Sequence, residues 1–156
     1  MKRFKTIFII STLVFFTFGT LWASNVIKTD MSKPIEVVQA RKTIMKAIKL
    51  NMDDVNEKIK NKNFKGIQAN AVAIDAMARV IPPLYKETHR DAYSGQGAYF
   101  KGAPASEIEA ISLNLSKAAQ ILMVGATNED KKKIKEGIGK VYQTCGACHK
   151  KYRGKF

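Results

Sequence analysis

Five residues near the C-terminus, Cys145-Gly146-Ala147-Cys148-His149, bring two thiols and an imidazole together at helical spacing. On a helix, residues three and four apart share a face, with Cβ atoms about 5–6 Å from one another. Both sulfurs and the imidazole therefore stand on one side. Thiols so placed can add to the two vinyl groups of a single haem, leaving the imidazole to bind its iron. CxxCH is the attachment pattern of haem c.

Three other readings of the pentapeptide fit less well. A thioredoxin-like CxxC expects a preceding strand and a thiolate activated at a helix N-terminus, whereas this motif ends a lysine-rich helix. A structural zinc site takes four ligands, and the whole chain has two Cys and two His, so His89 would have to close it from a distant loop. A disulfide between residues three apart on a helix strains the bond geometry and closes almost no loop.

The N-terminus supplies context. Lys2, Arg3 and Lys5 precede an apolar stretch from Thr6 to Trp22, followed by Ala23 and Ser24. This pattern predicts a secretory signal peptide over residues 1–23, cut after Ala23; the rival is an uncleaved anchor, since the run approaches the length of a membrane span. The expected product is a periplasmic domain over residues 24–156 with no stable membrane insertion. Export also sets aside nucleic acid, the usual partner suggested by a net charge of +14. Removing the leader takes away three cations and no anions, so +14 becomes +11. A field of that sign steers acidic partners.

Four stretches carry apolar residues in alternating steps of three and four, the spacing of a bundle seam. The first, about residues 34–61, places Val38, Arg41, Met45, Ile48, Met52, Val55 and Ile59 on its stripe. The second, about 64–81, carries Phe64, Ile67, Ala71, Ile74, Ala78 and Ile81, and stops at Pro82-Pro83. The third, about 105–125, shows Ile108, Ile111, Leu115, Ala118, Leu122 and Gly125. The fourth is expected to start near Asn128 as N-cap and aligns Ile134, Ile138, Val141, Cys145, Cys148 and Tyr152. The fold class is all-α, an antiparallel four-helix bundle with one covalent haem c. The long segment from Leu84 to Pro104 reads as a crossover whose Tyr85, Tyr93, Tyr99 and Phe100 could cover a haem edge, with His89 an exposed loop residue.

Two residues break the first seam. Arg41 stands where an apolar side chain is expected, and a buried guanidinium requires an anionic or hydrogen-bonding partner; a haem propionate would meet that need, and snorkelling to water is the alternative. Met45 follows one turn later. Its neutral thioether can serve as the sixth iron ligand, and Met/His pairing raises the reduction potential, although a seam Met is ordinarily core filling.

Arg41-Lys42-Thr43-Ile44-Met45 on the first helix and Cys145 to Arg153 on the last resemble the cytochrome c prime family, over about Pro34 to Arg153. The resemblance implies that Cys145 and Cys148 hold the haem, that His149 is the proximal ligand with Arg153 packed beside it, and that Arg41 meets a propionate. It also implies a division of function at the distal position. Relatives with an aliphatic or aromatic residue there keep a five-coordinate iron that binds nitric oxide or carbon monoxide. Those with a ligating Met, the low-spin cytochrome c-556 type, carry electrons.

Met45 places this chain with the carriers. A six-coordinate iron changes little in geometry when its charge changes, which favours fast transfer to an acidic redox partner protein. Relatives often pair into homodimers through their first two helices, and the alanines at 69, 71, 73, 76 and 78 would permit that approach. No acid–base constellation suggests an enzyme. A helical adaptor without haem would instead leave both cysteines as thiols or as a disulfide.

Overall fold

The computed structural model of the chain describes residues 34–85 and 103–152. Each apolar seam becomes one helix: α1 (Pro34–Lys60), α2 (Phe64–Arg79), α3 (Ala105–Thr127) and α4 (Lys131–Tyr152). A short 3-10 helix, Pro82–Tyr85, follows α2. No strand occurs among the described residues.

The helix ends differ from expectation in small, explicable ways. α2 stops at Arg79 rather than Ile81, because a proline disfavours helical geometry in the residue before it; Ile81 is still buried at 6 % exposure. α4 begins after Asp130, not at Asn128: the Asp130 carboxylate accepts the Lys133 amide at 3.0 Å. Asn128 instead closes α3, its amide reaching the Val124 carbonyl.

One turn design is used twice. α1 ends on Lys62 at φ 53° and α3 on Glu129 at φ 53°, each in the left-handed conformation of a Schellman cap. The Lys62 amide bonds Ile59 O and the Asn63 amide bonds Lys58 O; the Glu129 amide bonds Ala126 O and the Asp130 amide bonds Gly125 O. In both turns the residue after the left-handed one then caps the next helix. Asn63 accepts from the Gly66 amide at 2.9 Å, as Asp130 does from Lys133.

Contacts between helices fix the topology. Ser112 and Ser116 of α3 reach the Ala78 carbonyl and Asp75 of α2, so residue numbers rise on one helix as they fall on the other. α3 and α4 are likewise antiparallel, with Gly137 against Leu122 and Lys151 bonded to Glu107. The result is an up-down-up-down bundle. The two turns close one end. The start of α1, the 3-10 helix, the start of α3 and the last turns of α4 gather at the other.

The core follows this polarity. At the turn end, Val55, Ile67, Ala71, Leu122, Ala126 and Ile134 form one cluster. There the helices cross so closely that a Cβ on Gly137 would lie 2.6 Å from the Leu122 backbone, and one on Gly125 2.7 Å from the Ile134 amide. Toward the other end, Ile48, Met52, Ile74, Ala78, Ile81, Ile108, Leu115, Ala118, Ala119 and Val141 form a second cluster. α2–α3 and α3–α4 run closest, α1 lies less tightly on α2, and α1 and α4 keep their backbones furthest apart of the neighbouring pairs. The seam of α1 runs out at Ile59, which is exposed.

Candidate cofactor site

The last two turns of α4 carry the motif. Cys145 and Cys148 are half-buried and neither forms a disulfide, while His149 is exposed. Burial pushes both thiols above their ordinary pKa, and a charge on Cys145 would raise Cys148 further. That is the opposite of a redox CxxC site, whose attacking sulfur is held as thiolate by a lowered pKa. For zinc, the described residues bring together no group of three His, Cys, Asp or Glu able to hold a metal ion.

The motif looks toward the loosest pairing in the bundle. Tyr142, Cys145 and His149 stand three and seven residues apart and so share one stripe. Tyr142 marks where that stripe faces, since its hydroxyl accepts from Asn56 Nδ2 of α1 at 3.0 Å. On α1, Met52 and Met45 precede Asn56 by four and eleven residues, close to whole numbers of turns, which carries Met45 to the same end of the bundle as the motif. Met45, Ile44, Ile138 and Cys145 are partly buried against the same apolar cluster. The structure thus packs Met45 of α1 and Cys145 of α4 against one apolar cluster.

Arg41 is 7 % exposed, so it does not snorkel to water. Its guanidinium lies 4.9 Å above the centre of the Tyr85 ring, a cation–π arrangement worth more as water is excluded. The 3-10 helix supplies that ring, because Pro82 and Pro83 end α2 and turn the chain across the bundle end. Sequence reasoning treated Tyr85 only as cover for a haem edge and missed its contact with Arg41. At the same end, Lys151 bonds Glu107 and ties the last turn of α4 to α3, and Tyr152 is buried. Arg153, His89, Tyr93, Tyr99, Phe100 and the expected leader, residues 1–23, lie outside the described residues.

This donor set fits a haem c. Two thiols at i and i+3 and an imidazole at i+4 stand on one helix, a thioether stands on α1, Ile44, Ile48, Ile138 and Val141 supply apolar walls, and the Arg41 guanidinium is buried toward the same end. Among the described residues no helix is long and apolar enough to cross a membrane.

Comparison with known proteins leads the same way. A search of curated proteins finds no match. Among solved structures, the cytochrome c′ from Thermochromatium tepidum superposes with a TM-score of 0.66 at 22% identity, over 79% of this chain and 98% of that one. Another, a cytochrome c′ described as having an unusual ligand-controlled dimer dissociation, gives a TM-score of 0.47 at 21% identity over the same shares. The family model described as Cytochrome C′ matches residues 36–153. With most of its length matched, and with the fold to go with it, this chain belongs to the cytochrome c′ family, whose members carry one covalently bound haem c.

Proposed function

We propose that the protein is a periplasmic monohaem cytochrome that carries electrons, with the haem joined to Cys145 and Cys148 and ligated by His149 and Met45. When bound, that group supplies a one-electron iron couple of raised potential under His/Met ligation. The residues divide the remaining work. The two thiols fix the group to α4, His149 and Met45 offer donors from opposite helices, Arg41 answers carboxylates, and Arg153 supports the proximal side. Residues 1–23 direct export and are removed.

The observation that carries this reading is the placement of Met45 against the cluster that also holds Cys145. The same burial of Met45 beside Ile44 and Ile48 favours a second reading, a five-coordinate haem with an apolar pocket for nitric oxide or carbon monoxide. The ferric spectrum separates them. A far-red Met-to-iron band in the wild type, lost in Met45→Ala together with a change to high spin, supports the carrier; a high-spin wild type, or a spectrum unmoved by the substitution, supports the gas binder.

The partner expected for a carrier of this charge is an acidic redox protein. No enzymatic activity is assigned. A homodimer through α1 and α2 would cover Leu50 and Val72, which are 56 % and 50 % exposed, along with the exposed Ala69 and Ala76.

A further inference from the structure

α3 and α4 lie side by side yet differ in what they show to solvent. From Ile111 to Thr127, α3 carries a single charged residue, Lys117, and leaves Leu113 and Val124 exposed at 54 % and 38 %. α4 carries seven lysines against one glutamate. Between them runs a groove of about 440 Å³ whose apolar lining includes Ile111, Ile121 and the exposed Ala147, with Asn114, Thr144, Lys117 and Lys140 among its polar residues. Glu136 is 3.7 Å from Lys140, with both side chains about half exposed; a pair that open to water is worth little and leaves the Lys140 ammonium available. An apolar strip poor in charge, rimmed by cations, has the make-up of a protein interface.

We propose that this groove is the docking site for an acidic partner protein, which lays the apolar face of a helix against Ile111 and Ile121 and sets its carboxylates on Lys117 and Lys140. The mode is helix-in-groove recognition, with charge setting orientation and encounter rate. A second copy presenting this same face is a poor occupant, because its Lys117 and Lys140 would meet their own counterparts. The site has a further property: Ala147, exposed at one end of the groove, stands between Cys145 and Cys148. A partner seated here touches the haem-bearing helix at its attachment motif. That the partner is a redox protein rests on the electron-carrier reading; the docking chemistry does not.

The test uses isotope-labelled holoprotein and a synthetic helical peptide with leucines at i, i+4 spacing and glutamates elsewhere. Amide shifts are expected to concentrate on Ile111, Ile121 and Ala147. Affinity should fall about tenfold in the double variant Lys117→Glu, Lys140→Glu, and also when the leucines are replaced by serine. Reversing Lys62 and Lys65 at the turn end should change it by no more than about threefold, the long-range share of the field. Shifts mapping to α1 or to Lys131–Lys133, unaltered binding by the double variant, binding indifferent to the leucines, or shifts that grow with protein concentration alone would each overturn the proposal. The optical spectrum of the same samples reports ligation by Met45 separately, so loss of the carrier reading and loss of the docking site are distinguishable.

Discussion

The two ends of the bundle are built on opposite principles. At the turn end, glycines bring α3 and α4 to backbone contact, both connections are doubly bonded Schellman turns, and the cluster of Val55, Ile67, Ala71, Leu122, Ala126 and Ile134, none above 3 % exposure, has three partly buried neighbours, Phe64, Met123 and Ile138. At the motif end, α1 and α4 stand apart, and the larger set of Ile44, Met45, Met77, Tyr85, Ala103 and Cys145 is only partly covered by the cluster beneath it. A close-packed interior has no room for a large ligand, so one end must hold the four helices in register for the other to stay open.

The sharpest test of that division is Gly137→Ala. The added methyl would lie 2.6 Å from the Leu122 backbone, so α3 and α4 must separate, and overpacking of this kind outweighs the gain in helix propensity. Denaturant unfolding of the holoprotein should show a loss of about 2 kcal/mol; a loss under about 0.5 kcal/mol would mean that the turn end is not the rigid one.

A smaller effect is expected at the polar lock between α2 and α3. Burial works to raise the Asp75 carboxyl, but bonds from Ser116, Arg79 and Gln120 outweigh it, and its pKa lies below the ordinary 3.8. Its stabilisation is therefore complete above that value and disappears as the pH falls through the lowered one. Asp75→Asn should cost about 1 kcal/mol at neutral pH, and the gap to wild type should narrow below about pH 4. A gap independent of pH would show that the charge is not what locks the pair.

Gly139 provides the matching control for Gly137. A Cβ there meets nothing within 4 Å, so Gly139→Ala should stabilise the bundle by about 0.5–1 kcal/mol, the ordinary propensity gain. The least effect belongs to the open seam. Tyr142→Phe removes the hydroxyl that accepts from Asn56 across an exposed surface and should cost about 0.5 kcal/mol or less. A larger loss would show that α1 and α4 are joined more firmly than their spacing suggests.

The sequence made the helices legible because each buried stripe repeats every three or four residues, and the motif legible because its three donors are adjacent. What it hid was everything that depends on a neighbour distant in the chain. Gly137 and Gly139 look alike as letters; only the approach of Leu122 separates them. Tyr85 is 44 positions from Arg41 and comes beneath it only through the 3-10 helix. Asn70, 5 % exposed, reads as a misplaced polar residue until its amide is seen donating to the Asn51 carbonyl at 3.1 Å and to Asp54 at 2.9 Å, with Lys58 donating to its carbonyl at 2.7 Å. The start of α4 was misplaced by two residues because Asn128 and Asp130 are equally good caps by type, and the left-handed Glu129 between them decides which is used.

The loose pairing of α1 with α4 also bears on how the fold can breathe. The first helix is fastened chiefly to its neighbour α2, while α2, α3 and α4 are locked to one another by glycine contacts and by the Asp75 network. Partial opening should therefore follow the weakest seam: the α1–α4 edge parts at the motif end, α1 moving like a door that stays held by α2 and by the closed Lys62 turn, while a three-helix frame stands. The door carries Met45 and Arg41 and the frame carries Cys145, Cys148 and His149, so a bulky planar guest could be admitted and then shut in without the protein ever coming undone.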